Sequence, residues 1–274
     1  MPEKTTVSDA DGRVSLLRMG DPSPFTVINP YGRAKVLLLC DHASRAVPNA
    51  LDNLGLADAD LAKHVGWDIG AAAITHELSR RWDAPAVLSG FSRLVVDCNR
   101  TLGEATSMPA VSDGITVPGN QELSPDQIEA RATACYWPYH GAVTAALDRF
   151  ATAGVAPAVI SMHSFTPRMN GLERPWHVGV LWDRDPRLAV PLIANLARLH
   201  GLAVGDNEPY SARDPHGFTL RHHVDPRGLP NVLLEMRQDE VGTDEGVLRY
   251  ADFLETAFAP ILADPALYRP ALYL

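Results

Sequence analysis

The chain has 274 residues, of which 46% are hydrophobic and 21% charged, and its formal net charge is −9. This size and composition are typical of a globular protein, and the negative charge argues against nucleic acid as the main partner, because phosphate binding needs a basic surface. No segment has the apolar length of a membrane span and the start of the chain lacks a signal-peptide pattern, so we expect a cytoplasmic protein with no membrane partner. The three cysteines form no CxxC pair, which argues against a thiolate zinc site.

Strand and helix patterns alternate along most of the chain. Residues 1–25 are polar and irregular, and residues 26–274 contain no linker or repeat, so one domain after a short lead-in is predicted. Apolar runs predict strands at 36–40, 86–88, 94–96, 176–182 and 231–236, with another that ends at His163. Helical signals predict helices over 57–82, 124–154, 185–200 and 244–262, and a long loop over 101–122. This order predicts an α/β fold with a mainly parallel sheet and helices on both faces.

Two of the predicted strands end in a histidine, His42 and His163. One such residue is usually a hydrogen-bonded core histidine, but two at strand ends are what a catalytic zinc site requires, with a third ligand and one position left for water. A carboxylate is expected as the third ligand. Asp68, on the predicted helix, is the first choice, although a solvated helix aspartate would look the same. Asp41 is the alternative, although strand alternation points it away from His42.

A second group of polar residues follows the predicted strand at 94–96. Asp97, Asn99 and Arg100 stand at its carboxyl end, and Arg93 precedes it. Arginine binds carboxylates in a bidentate manner and asparagine adds a neighbouring donor, so a carboxylate-binding corner is predicted. A surface salt bridge is the alternative for any single arginine.

Glu235 follows three apolar residues on the last predicted strand. A buried carboxylate must be paired, protonated or used in proton transfer. Beside a metal it could act as a general base and then as a general acid. Arg237 points to the same side and is either a catalytic partner or only the counter-ion of Glu235. Further cationic residues that could line a dicarboxylate pocket lie in polar segments, with His223 taken as a substrate contact: Arg168, Arg213, Arg221, His222 and His223.

These motifs together resemble the N-formylglutamate amidohydrolase (N-formylglutamate deformylase) family, within the zinc carboxypeptidase and aspartoacylase superfamily. The shared segments extend from about residue 25 to 262 and include Asp41-His-Ala-Ser44, Trp67-Asp-Ile-Gly70, Ser92-Arg-Leu-Val-Val-Asp-Cys-Asn-Arg100, Tyr139-His140, Ser161-Met-His-Ser-Phe-Thr-Pro167, Pro209-Tyr-Ser211 and Leu234-Glu-Met-Arg-Gln-Asp239. The resemblance implies a three-layer α/β/α sandwich of the phosphorylase/hydrolase-like type, with a mainly parallel mixed sheet. It also implies a zinc enzyme that cleaves N-formyl-L-glutamate to formate and glutamate in histidine breakdown.

By position, the resemblance makes His42 and His163 metal ligands, Asn99 and Arg100 substrate-carboxylate ligands, and Glu235 the acid/base. One departure concerns the second ligand. Carboxypeptidases and aspartoacylases take it from a Glu three residues after the first His, where this chain has Arg45, and for this reason Asp68 is proposed instead. A zinc peptidase with another substrate and a non-catalytic binding homologue remain the alternative functions.

Overall fold

The structure, a computed structural model, describes residues 15–214 and 217–273. Much of the predicted lead-in, residues 1–14, lies outside the described residues. Residues 15–24 contain no helix or strand, which fits the prediction for that part of the segment. No helix within the described ranges is both long enough and apolar enough to cross a membrane.

Seven strands of the described chain form one sheet: β1 (Phe25–Ile28), β2 (Val36–Cys40), β3 (Ala86–Ser89), β6 (Ala158–Phe165), β9 (Val178–Leu181), β10 (Val204–Asp206) and β11 (Asn231–Arg237). Their order in the sheet is β1-β3-β2-β6-β11-β9-β10. The four neighbours β3, β2, β6 and β11 run parallel, as do β9 and β10, whereas the β1–β3 and β11–β9 pairs are antiparallel. The predicted mainly parallel mixed sheet is thus confirmed. Two small hairpins, β4 (Val111–Ser112) with β5 (Ile115–Thr116) and β7 (Arg168–Met169) with β8 (Leu172–Glu173), lie outside it.

Helices cover both faces of the sheet. Their bounds are α1 (Asp58–Leu61), α2 (Ala71–Trp82), α3 (Pro125–Arg131), α4 (Trp137–Thr152), α5 (Pro186–Leu196), α6 (Thr219–His223), α7 (Gln238–Val241) and α8 (Asp244–Leu262). One core is formed by α2, α5 and α8 against alternate sheet residues such as Leu38, Ile160 and Leu234. On the opposite face, α4 packs against Leu37 and Val159 in a separate core. These layers agree with the predicted α/β sandwich.

The predicted helix over 57–82 is wrong in its middle, because α1 ends at Leu61 and α2 begins only at Ala71. The glycines between them are held by close backbone contacts. A Cβ at Gly66 would lie 2.3 Å from the Leu61 carbonyl oxygen, and a Cβ at Gly70, where φ is +84°, would lie 2.4 Å from that of Val241. The prediction that Asp68 lies on a helix is therefore wrong. The residue stands on a turn that precedes α2.

The strand predicted at 94–96 is also wrong, since this apolar segment is a buried turn. The amide of Val95 donates to the Ser92 carbonyl oxygen at 2.9 Å, which closes the turn. Side chains bind two further backbone oxygens of this segment: Asn120 donates to the Leu94 carbonyl and Arg131 to that of Val95. A short apolar run looks the same in a strand and in a buried turn of this kind.

The predicted helix from Ser124 to about residue 154 is confirmed with one local change. The capping box is present, since Gln127 N donates to Ser124 Oγ at 3.3 Å and Ser124 N donates to Gln127 Oε1 at 2.9 Å. A π-helical turn, Ala132–Tyr136, separates α3 from α4. Pro138 in the next turn lacks an amide hydrogen and excludes the ordinary i−4 bond, which accounts for the change in winding near the predicted bend.

Candidate active site

Three buried residues, His42, Asp68 and His163, meet at the carboxyl ends of β2 and β6. Their ligand atoms all lie within 4.8 Å of one another, and this group could hold a metal ion. His42 comes two residues after β2 ends, and His163 lies on β6. The turn that carries Asp68 is tied to the first histidine by its backbone, because the Asp68 amide donates to the His42 carbonyl oxygen at 3.0 Å. The structure thus brings together the three residues predicted as metal ligands.

The orientation of both imidazoles fits metal ligation. Asp68 Oδ2 lies 3.2 Å from His42 Nδ1 and 2.9 Å from His163 Nδ1. Ligands of a tetrahedral zinc site, each about 2.0–2.1 Å from the ion, are about 3.3 Å apart, close to these spacings. The other ring nitrogens face carboxylates: His42 Nε2 is 2.7 Å from Asp97 Oδ1, and His163 Nε2 is 3.1 Å from Asp41 Oδ2. A carboxylate behind each ligating histidine is the usual outer shell of a protein metal site.

The charge around this group also suits a cation. Three buried carboxylates, those of Asp41, Asp68 and Asp97, surround the two histidines, and the neighbouring cations include Arg93 and Arg100. Burial alone would lower the pKa of His163, but hydrogen bonds to Asp41 and Asp68 raise it to about 10. Burial would raise the pKa of Asp68, yet the two histidines hold it well below its usual range. The excess of negative charge therefore favours positive charge at the centre of the group.

Asp41, the alternative ligand, is placed behind His163 and not within the group of three. Besides His163 it accepts hydrogen bonds from Tyr139 Oη on α4 at 2.6 Å and from Thr219 Oγ1 on α6 at 2.8 Å. Burial would raise the pKa of Asp41, but these bonds and the charge of the histidines lower it to about 2. Strand alternation predicted that Asp41 points away from His42, and its contacts with α4 and α6 agree with this. The partners Tyr139 and Thr219 were missed, and only the Tyr139-His140 motif signalled one of them.

Glu235 lies on β11 directly opposite His163 on β6, since their Cα atoms are paired in register. Its side chain is only 7% exposed, and Oε2 has no hydrogen-bond partner among the described residues. Burial, with a further contribution from the charge of Asp68, raises the pKa of Glu235 to about 7. A carboxylate with a pKa near neutrality and an unpaired oxygen is suited to proton transfer.

The predicted carboxylate-binding residues line the same cavity as the metal group. Arg93 is held in place by Asp97 Oδ2, at 2.8 Å from Nη2, and by Asp68 Oδ1, at 3.4 Å from Nη1. Asn99 Oδ1 accepts from the amides of Phe218 and Thr219, so this side chain also fixes the start of α6. Arg100 Nη1 donates to the Asn99 carbonyl oxygen at 2.9 Å.

Two other predicted site residues lie elsewhere. The Arg237 guanidinium pairs with Asp239 at 2.8 Å and Glu240 at 3.1 Å, and not with Glu235. His223 Nε2 on α6 is 2.9 Å from His140 Nδ1 on α4, and both histidines are buried. Neither Arg237 nor His223 lines the cavity.

The further cationic candidates are divided. Arg221 lines the cavity, whereas Arg168 pairs with Glu173 and Arg213 lies over the Trp182 ring.

The cavity has a volume of about 890 Å³. On one face of the sheet α4 packs on β1, β2 and β3, and Leu233 and Glu235 of β11 line the cavity. Besides the metal group and Glu235, its wall includes Arg93, Asn99, Arg100, Leu181, Tyr210 and Leu233. The site therefore combines a place for a cation, a proton-transfer carboxylate and guanidinium groups in one concave surface. Such a combination can hydrolyse a polar bond in an anionic substrate.

Comparison with known proteins agrees with this chemistry. The structure is similar to that of gene product Atu2144 from Agrobacterium tumefaciens, with 35% identity, a TM-score of 0.87, and coverage of 90% of this chain and 98% of that one. It shares its fold with N-formylglutamate amidohydrolase from Ralstonia eutropha JMP134, with 19% identity, a TM-score of 0.66, and coverage of 88% and 97%. No curated protein matches the sequence. Residues 34–241 match the family model of N-formylglutamate amidohydrolase, and the chain belongs to this amidohydrolase family.

Proposed function

We propose that this protein is a metal-dependent hydrolase of N-acyl acidic amino acids, with zinc as its metal. The proposed reaction converts N-formyl-L-glutamate and water to formate and L-glutamate, a step of histidine breakdown. The observation that carries the proposal is the position of Glu235, a buried carboxylate in the cavity of the metal group, one of whose oxygens has no partner among the described residues. Membership of the family supports amide hydrolysis in general.

His42, Asp68 and His163 would hold the zinc ion through Nδ1, Oδ2 and Nδ1, because the remaining imidazole nitrogens face Asp97 and Asp41. Two nitrogens and one carboxylate oxygen form a donor set that catalytic zinc uses. When bound, zinc acts as a Lewis acid on the amide carbonyl and lowers the pKa of water toward neutrality.

Glu235 moves the proton in this reaction. Its carboxylate accepts a proton from the water whose oxygen attacks the formyl carbon. It then donates that proton to the amide nitrogen as the C–N bond breaks, so that formate and the free amine of glutamate leave. A pKa of about 7 suits both halves, because the group can accept and release a proton at neutral pH.

The guanidinium groups bind the substrate. N-formyl-L-glutamate brings two carboxylates, and Arg93 and Arg100 both line the cavity beside the metal group. We assign Arg100, with Asn99 behind it, to one substrate carboxylate. Arg93 is fixed by Asp68 and Asp97 and supplies a positive charge at a set position. His223 and Arg237 lie outside the cavity and have no part in this proposal.

The size of the cavity favours a second candidate, hydrolysis of a larger amide such as a peptide. N-formyl-L-glutamate has only twelve non-hydrogen atoms, whereas about 890 Å³ is at the upper end of the range for drug-sized ligands. Part of the wall is apolar, with Leu181, Leu220 and Leu233. A longer N-acyl group or a second amino acid would fill this part.

A substrate screen distinguishes the two candidates. The zinc-loaded protein is incubated with N-formyl, N-acetyl and N-succinyl derivatives of glutamate, glutamine and leucine and with a dipeptide that ends in glutamate, and the release of free amine is measured. The proposal predicts the highest kcat/KM for N-formyl-L-glutamate. Turnover of the dipeptide above all N-acyl amino acids would select the peptidase, and no turnover of any amide would reject both.

A further inference from the structure

A short loop, residues 207–212, is held against the sheet beside the site. The Asn207 amide donates to the Val180 carbonyl oxygen at 3.0 Å. The Asn207 side-chain oxygen accepts from the amides of Trp182 and Ala212, both at 3.1 Å. The loop is thus tied to the end of β9 at its start and closed on itself at its end, and its middle residues have a defined position.

Gly179 on β9 allows this loop to approach Glu235. The two residues are Cα partners on neighbouring strands. A Cβ added at Gly179 would lie 2.1 Å from the Glu208 carbonyl oxygen and 3.3 Å from Glu235 Cβ. The backbone of Glu208 therefore occupies the space of a missing side chain next to the proposed acid/base. Tyr210, two residues further along, stands on the cavity wall with Glu235.

The hydroxyl oxygen of Tyr210 accepts one hydrogen bond, and its O–H is available as a donor. Arg174 Nη1 donates to Tyr210 Oη at 3.0 Å, and the guanidinium lies 4.8 Å from the centre of the ring. Among residues 15–214 and 217–273, no acceptor receives the Tyr210 O–H, and no carboxylate pairs with Arg174. Tyr210 is partly exposed on the cavity wall. Its pKa is raised above the ordinary value by the partial loss of hydration and by the charge of Glu235.

We propose that Tyr210 is a further catalytic residue, whose O–H donates a hydrogen bond to the scissile carbonyl oxygen as that oxygen becomes anionic, and that Arg174 is its positioning residue. The inference rests on the amide hydrolysis proposed above. An arginine that donates to the phenol oxygen strengthens the phenol as a donor and directs its hydrogen away from the guanidinium. A donor held in this way binds the anionic oxygen of the transition state more strongly than it binds the neutral carbonyl oxygen of the substrate. No proton leaves Tyr210.

Three variants test this role through steady-state kinetics on N-formyl-L-glutamate. Tyr210→Phe keeps the ring and should lower kcat by about 100-fold, the usual loss when one oxyanion donor is removed. Arg174→Met keeps the aliphatic stem and should lower kcat by about tenfold, because a misplaced donor loses much of its effect. Tyr31→Phe is the matched control, since Tyr31 is exposed, lies outside the cavity, and also has an arginine, Arg149, over its ring. It should keep the parent rate.

Two further measurements separate this role from carboxylate binding and from damage to the fold. L-Glutamate has both carboxylates of the substrate but no acyl oxygen, so its inhibition constant should be unchanged in Tyr210→Phe. N-formyl-L-norvaline lacks the side-chain carboxylate and should show the same loss in kcat. Metal content and the thermal midpoint, measured on each variant, should match the parent.

The outcomes are distinct. A Tyr210→Phe kcat within threefold of the parent, a loss confined to N-formyl-L-glutamate, or a weaker inhibition by L-glutamate would each overturn the inference and leave the proposed hydrolysis standing. A parent enzyme that releases no amine from either N-formyl substrate would refute the hydrolysis, and the role of Tyr210 with it.

Discussion

His163 and Glu235 face each other across two parallel strands, β6 and β11, with their Cα atoms in register. The histidine belongs to a buried group that could hold a metal ion, and the glutamate has an oxygen without a partner in the described chain. The backbone positions of both residues are thus set by strands of the sheet and not by a loop. The proposed function follows from this relationship more than from either residue alone.

The first prediction concerns metal binding by His163. Purified protein should contain close to one divalent metal ion per chain, and His163→Ala should lose it, because two ligands rarely retain zinc. The control is His76→Ala, which removes an exposed histidine on α2. Inductively coupled plasma mass spectrometry measures metal content in the parent and both variants. Equal occupancy in the parent and in His163→Ala would remove His163 from the metal site.

The second prediction concerns Arg100 as a carboxylate ligand. Arg100→Lys keeps the charge but loses the planar fork, so kcat/KM for N-formyl-L-glutamate should fall at least tenfold, which corresponds to about 1.4 kcal/mol. Arg198→Lys, an exposed change outside the cavity, is the matched control. Steady-state kinetics with both variants checks this expectation, and an unchanged kcat/KM in Arg100→Lys would exclude the role.

The third prediction concerns the stability cost of Glu235 in the metal-free protein. Its pKa is about 7 in the fold against an ordinary value of 4.5, so the folded state binds the proton more tightly than the unfolded state. The fold is thus destabilised as pH rises from 4.5 to 7, by about 3 kcal/mol at most. Chelator-treated Glu235→Gln should therefore be more stable than the parent at pH 8, and the difference should shrink toward pH 4.5.

Urea denaturation at several pH values measures this difference. Glu245→Gln, an exposed change in α8, should show no such trend. If the parent and Glu235→Gln differ by the same amount at every pH, the carboxylate does not titrate in the fold as described.

The fourth prediction concerns the buried pair of His140 and His223. Burial lowers the pKa of His140 to about 4 and that of His223 to about 3, so both are neutral in the fold. Below pH 6.5 the unfolded chain takes up protons that the folded chain does not, and stability falls by about 1.4 kcal/mol per pH unit for each histidine. His223→Gln keeps a polar group for His140 but removes one proton site. The free energy of unfolding of His223→Gln should decline less steeply from pH 6.5 to 4 than that of the parent. Parallel declines in the parent and the variant would contradict the conclusion that both histidines are neutral in the fold.

Local patterns predicted the frame of the site correctly. The strand at 36–40, the capping box at Ser124 and the helix over 244–262 all depend on residues close in sequence, and each is found where the pattern indicated. Glu235 was predicted to be buried because an apolar run precedes it, and it is. The sheet order then brings its strand beside that of His163.

Contacts between distant segments account for what the sequence did not reveal. Asp68 leaves the predicted helix because the backbone near Gly66 and Gly70 is pressed against Leu61 and Val241. Arg237 ends β11, and its charge meets Asp239 and Glu240 of α7 and not Glu235. Such pairings depend on how elements pack, and periodicity within one element does not encode them.

The most direct test of the account is the turnover of Glu235→Gln at full metal occupancy. The variant keeps the size of the side chain but cannot accept a proton, so its kcat for formate release from N-formyl-L-glutamate should fall by about 10²–10⁴-fold. Metal content, measured on the same sample, should equal that of the parent. Turnover within a few-fold of the parent at equal metal content would contradict the proton-transfer role of Glu235, and loss of the metal would instead make Glu235 a ligand.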